Sequence, residues 1–159
     1  MQYQSVKSMQ GYQLTVRKMQ PQDYSDCWNV QHSNHTEPET HLYSLETWKF
    51  ITELMSDSFV VCDGKVVVGY WLGFLKVNPH EPQPDVWCLA IDVCTHADYR
   101  ESGVMDLIMP LATDYHPRIY AYTQKGNTAA EGIMTKWGFN KGEYYPDTNN
   151  HYWSFENVS

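Results

Sequence analysis

Nowhere in the 159 residues does an apolar run approach the roughly 20 residues that a helix needs to cross a bilayer, so no membrane role is expected. Basic residues are few. Eleven Lys and Arg stand against 19 Asp and Glu, for a formal net charge of −8. Non-specific binding to nucleic acid or to an anionic membrane needs a basic face, and this balance argues against both. The same acidity is compatible with a cationic amine as substrate. Met1 to Gln10 is polar, lacks the charged and apolar regions of a signal peptide, and reads as a flexible N-terminal segment. Paired cysteine spacings are missing as well: Cys62, Cys88 and Cys94 lie in apolar strand-like runs, and Cys27 stands alone. A free cysteine in such a run behaves as a small hydrophobe, so no disulfide framework is expected and a reducing cytoplasm is the better setting. Cys94 and His96 could share a strand face, but without a C-x-x-C or H-x-x-x-H spacing no metal is expected.

What is present is a regular alternation of elements. A composition that is 42% hydrophobic suits one domain around one core, here residues 11–157. Tyr12 to Lys18 alternates polar and apolar residues and predicts a strand. Pro21-Gln22-Asp23 opens a helix carrying Tyr24, Cys27, Trp28 and Val30, and Ser44 caps a second over Leu45 to Met55, where Leu45, Trp48, Ile51, Leu54 and Met55 form one apolar stripe. Asp63-Gly64 between Phe59–Cys62 and Val66–Leu75 is a hairpin signal. Asn78 to Asp85, with three prolines, is a loop. Val86 to Thr95 and Ile119 to Thr123 are strands, Met105 to Ala112 and Asn127 to Trp137 helices. Tyr144-Tyr145 and Tyr152 to Phe155 close the chain as a hairpin. Strands interleaved with helices in this order predict an α/β (α+β) fold with a mixed sheet and helices on its faces.

One junction carries chemistry. Arg100 to Met105 links the strand Val86 to Thr95 to the helix after it. A helix starting there points unpaired N–H groups and its positive dipole end at one spot, a ready site for a pyrophosphate.

Three segments resemble the GCN5-related N-acetyltransferase (GNAT) superfamily: Phe59 to Tyr70 with its Asp-Gly hairpin and Val-Gly-Tyr run, Thr95 to Met105, and Asn127 to Phe139. The resemblance covers about Tyr12 to Phe155. It implies a mostly antiparallel central sheet in a three-layer α/β/α arrangement, with acetyl-CoA as cosubstrate. It further implies that the backbone of Val93, Cys94 and Thr95 pairs with the pantetheine arm, and that amides of Arg100, Glu101, Ser102, Gly103, Val104 and Met105 hold the pyrophosphate. Arg100 adds cationic support, and Asn127 approaches the pantetheine. The implied reaction is direct attack by a primary amine, of a small molecule or a protein, on the thioester carbonyl.

Two positions depart from the family pattern. Met105 replaces a small residue of the phosphate loop, and Met134 stands where many members place a Tyr acid; a thioether has no proton to donate. Tyr120, Tyr122, Tyr144 and Tyr145 could replace it, and Tyr122 is carried forward. For the base, Asp92 and His96 are the candidates, with Asp85 a third. The ordinary reading of His96 is a solvated loop residue, and an acid inside an apolar strand must be paired, at an edge or facing a cleft. By the same resemblance the loop with His32, His35, Glu37, Glu39 and His41 contributes to the acceptor pocket; a solvated loop is the plainer reading. The C-terminal tyrosines could line an acceptor cleft or form the interface of a homodimer. The departures also support a second reading from another class: a catalytically inactive GNAT-fold protein, such as phage genomes also encode, kept for binding or structure.

Overall fold

The computed structural model describes residues 4–7, 11–34 and 42–157. Among these residues eight strands and four helices make an α/β fold with a mixed, mostly antiparallel sheet flanked by helices. Chain contacts divide it into two compact units, Met1–Gly73 with Asp92–Ala112, and Phe74–Ile91 with Thr113–Ser159.

In the first unit Gln4–Lys7 (β1) pairs antiparallel with Gln13–Lys18 (β2). β1 lies in the N-terminal segment, where the pattern predicts no strand. β2 alternates as expected and buries Leu14 and Val16. A short 3-10 turn, Pro21–Asp23, leads into Tyr24–Ser33 (α1). Leu45–Leu54 (α2) begins on Ser44, whose Oγ accepts from the Thr47 N–H at 3.1 Å. Its expected apolar stripe buries Trp48 and Ile51, whereas Leu45 and Leu54 stay exposed. Thr52 takes a buried place instead, with its hydroxyl donating to the Pro21 carbonyl at 3.0 Å.

Phe59–Asp63 (β3) pairs with β2 and turns at Asp63-Gly64 into Val66–Val77 (β4). Gly64 has φ +62°, the left-handed conformation that a tight turn asks of glycine. β4 passes into the second unit after Gly73, and Val86–Thr95 (β5) returns to the first at Asp92. Val104–Tyr115 (α3) then buries Val104, Ile108, Met109 and Ala112, with Pro110 on its exposed side.

In the second unit β5 runs parallel to Arg118–Gln124 (β6), with Leu89 beside Tyr120. Thr128–Lys136 (α4) follows, then a hairpin of Asn140–Tyr145 (β7) and Asn150–Glu156 (β8). β8 pairs antiparallel with β6, Tyr152 opposite Tyr122 and Trp153 opposite Ala121. Strand alternation therefore puts Tyr120, Tyr122 and Tyr152 on one face, and Ile119, Ala121 and Trp153 on the other.

Candidate functional site

After β5 the backbone passes through left-handed conformations at Glu101 (φ +64°) and Gly103 (φ +88°), and α3 starts at Val104. The Leu107 N–H reaches back to the Gly103 carbonyl at 3.2 Å. The amides of Val104 and Met105 lie in the first turn of α3, at its positive end. A Cβ built on Gly103 meets nothing within 4 Å, so the conformation, and not the space, calls for glycine there. Ser102 is fully buried and donates its hydroxyl to the Tyr99 carbonyl, bracing the turn from inside. Met105 is half-buried, and Glu101 and Asp106 are exposed beside it. An acid in the first turn suits the helix dipole but weakens the local field for an anion.

Arg100 is the cation at this junction, and Asn34 at the end of α1 holds it. The guanidinium donates to Asn34 Oδ1 through Nε, at 3.0 Å, and through Nη2. Asn34 in turn donates through Nδ2 to the carbonyls of Thr95, at 2.5 Å, and Val30, at 3.1 Å. The Thr95 carbonyl thus already has one donor, which leaves one of its lone pairs for a further partner. Val93, Cys94 and Thr95 are half-buried, and burial, then the charge of Asp92, pushes the Cys94 thiol up to about 12. Cys94 is a thiol at neutral pH.

Asp92 lies half-buried on β5 and accepts from the Tyr70 hydroxyl at 2.6 Å. Burial first, then Asp92, holds the Tyr70 phenol well above its ordinary range, so it stays a donor. The same two causes raise Tyr43. A carboxylate oriented by a buried phenol can take a proton from an amine. His96 is placed differently. Its Nδ1 accepts from the Asp98 N–H at 3.1 Å, capping the short turn Ala97–Tyr99, and the His96 main-chain N–H donates to the Val68 carbonyl at 2.8 Å. With Nδ1 accepting, a neutral ring carries its proton on Nε2. His96 also lines a cavity of about 510 Å³ with Trp28, His32, Val67 and Tyr99; Asp92 is not among its walls.

Tyr122 and Asn127 belong to the second unit. Asn127 caps α4, its Oδ1 accepting from the Ala130 N–H at 3.1 Å. Met134 is buried in α4. Tyr122 is two-fifths exposed, and its hydroxyl lies 2.7 Å from His80 Nε2. Tyr145 Oη is 2.9 Å from Nδ1 of the same ring. Of the other two phenols, Tyr144 donates to Asn149 Oδ1 at 2.7 Å, and Tyr120 is buried. Asp85 is paired with Arg118 in the same unit.

Sequence reasoning missed Asn34, Tyr70 and His80 as parts of these clusters. Their only signal was chemical type: His80 follows a proline in a polar loop, and its partners come from distant strands. His35, Glu37, Glu39 and His41 lie outside the described residues. Among the described residues no three His, Cys, Asp or Glu side chains gather as metal ligands, and no helix is long and apolar enough to cross a membrane.

No family model and no curated protein matches the sequence. Solved structures do match, and they show that the chain has the GNAT fold. A chain of a NatC complex bound to a Gag peptide and CoA superposes with TM-score 0.69 at 13% identity, over 90% of this chain and 98% of that one. A diaminobutyrate acetyltransferase from Paenibacillus lautus, solved with L-2,4-diaminobutyric acid and coenzyme A, gives 0.66 at 14%, over 92% and 96%. The ribosomal-protein-S18-alanine N-acetyltransferase from Escherichia coli gives 0.65 at 14%, over 92% and 95%. Identities this low establish the architecture and leave the substrate open.

Proposed function

We propose that the chain is an acetyl-CoA-dependent N-acyltransferase that acts on a primary amine of a small molecule or a protein by direct attack. The observation that carries this reading is the junction of β5 and α3. There two left-handed residues, Glu101 and Gly103, turn the backbone so that the amides of Val104 and Met105 open a helix beside Arg100. That donor set suits a diphosphate. The coenzyme, when bound, supplies its acyl group as a thioester. In this reading amides from Arg100 to Met105 and the Arg100 guanidinium hold the diphosphate, and the backbone of Val93 to Thr95 pairs with the pantetheine arm. Asn127, whose Oδ1 is committed to the helix cap, offers its Nδ2 to the same arm.

Asp92 is the proposed base, fixed by Tyr70, and Tyr122 the proposed acid in place of Met134. His96 is the weaker candidate for the base, because its Nδ1 is engaged as a cap. The neighbours crystallised with CoA and with peptide or amino-acid ligands support the reaction class. Met134, buried and without a proton to give, favours the inactive reading.

A thermal-shift titration with acetyl-CoA separates the two. Ligand at 100 times its Kd should add about 2.7 kcal/mol of stability, and Gly103→Val should remove that shift, because valine strains at φ > 0. No shift at millimolar acetyl-CoA sinks the cosubstrate assignment. With binding established, release of free thiol over a panel of amines distinguishes an enzyme from a binder.

A further inference from the structure

His80 sits between Pro79 and Glu81 in the loop 78–85 and is pinned from two sides. Its main-chain N–H donates to Asn78 Oδ1 at 3.0 Å, and Asn78, 1% exposed, donates through Nδ2 to Tyr152 Oη at 2.9 Å. The imidazole ring lies 4.0 Å from the Tyr152 ring, centroid to centroid. Its two nitrogens then reach two phenols, Nε2 to Tyr122 at 2.7 Å and Nδ1 to Tyr145 at 2.9 Å. Burial lowers the His80 pKa from 6.5, with Glu143 and Glu81 pulling the other way, so the ring is neutral at neutral pH. Tyr122 is pushed up to about 12, by burial first and then by Tyr120, Tyr152 and Tyr145, and keeps its proton there.

A neutral imidazole has one donor and one acceptor. One phenol must therefore give a proton to the ring and the other receive one, so the chain of three groups has a direction. Resting on the acyl-transfer reading above, we propose that His80 is a proton relay that reloads Tyr122, running from Tyr145 through the ring to Tyr122.

Tyr122 Oη–H breaks as its proton passes to the leaving group, and the Nε2 proton of His80 moves to Tyr122 Oη. Nδ1 takes the Tyr145 hydroxyl proton, so the ring ends neutral as the other tautomer. Tyr145 recovers a proton from water, and the ring returns to its first tautomer by exchange with solvent. His80 acts through Tyr122 and is a positioning residue, with Tyr145 behind it.

¹⁵N NMR on the labelled full chain reads which ring nitrogen of His80 carries the proton, with no cosubstrate present. The expected result is Nε2–H; a proton resting on Nδ1 overturns the relay. His80→Gln keeps a donor near Tyr122 but cannot pass a proton through. It should lower kcat roughly 10²-fold and leave the KM for acetyl-CoA unchanged, as expected for loss of proton transfer alone. Tyr145→Phe removes one hydroxyl, should fold as the parent does, and should lower kcat by less than His80→Gln, because water can still supply the ring. Wild-type kcat in both variants overturns the proposal. A parent chain that shows no acetyl-CoA shift defeats the acyl-transfer reading and the relay with it, whereas acetyl-CoA binding with the resting proton on Nδ1 defeats the relay alone.

Discussion

At Gly69 three elements crowd one backbone atom. A Cβ placed there would run into the Val104 side chain and lie 3.2 Å from the Cys94 carbonyl oxygen. Gly69→Ala should therefore cost about 1–3 kcal/mol through overpacking, read as a lower urea midpoint. Because Val104 opens α3, the same variant should also weaken the acetyl-CoA thermal shift. Parental stability would mean that β4 and the start of α3 are less tightly packed than described. Gly103 is the contrasting glycine, open in space and constrained by φ.

Single residues were legible in the sequence to different depths. Asp92 stood out as an acid inside an apolar strand, but Tyr70, the group that satisfies it, is 22 positions away and had no local mark. Asn127 was read through the resemblance as a contact to pantetheine, and the structure employs its Oδ1 as a helix cap, a role that Asn before a helix also predicts.

At the scale of elements, the start of α1 depends on one ion pair. Asp23 is 4% exposed; its Oδ2 accepts from the Gln20 N–H at 2.7 Å, and Arg17 donates to its two oxygens at 2.8 Å each. Arg17→Ala leaves a buried carboxylate with one main-chain donor and no cation. The expected loss is about 2–4 kcal/mol, below the 3–5 of a fully buried pair because part of Arg17 meets water. Chemical denaturation checks it, and a loss under about 1 kcal/mol, the worth of an exposed pair, would refute this role.

Elements with strong periodicity or turn chemistry were read correctly. β5 runs from Val86 to Thr95 as expected, and the β3–β4 hairpin turns at Asp63-Gly64. β1 escaped because four residues with a single valine have no pattern; its pairing with β2 makes it a strand. α2 was placed correctly, but its buried face shifted toward Thr52, since the neighbours of a helix choose the face that packs.

For the whole molecule the tyrosines set the alkaline limit. Tyr99, in the first unit, is raised from 10.0 to about 12, chiefly by donating to Asp63 at 2.5 Å. Tyr122, in the second, is raised from 10.0 to about 12 by burial. Between those values the unfolded chain has lost protons that the folded chain keeps, so rising pH favours unfolding. Stability should hold through neutral pH and decline from about pH 10 to 12, the ordinary and raised values of these two phenols. Tyr99→Phe should flatten part of that decline in urea midpoints taken against pH. An unchanged slope would remove Tyr99 from the account.

Local rules in the chain were enough to determine where strands, helices and turns fall, which junction presents helix amides, and which acid lies out of place. Those properties follow from dihedral preferences and periodicities that act over a few residues. Tertiary structure alone decided that Tyr70 orients Asp92, that Asn34 holds Arg100, and that His80 joins two phenols. Hydrogen bonds between residues far apart in sequence depend on strand register and packing, and no short-range pattern records them.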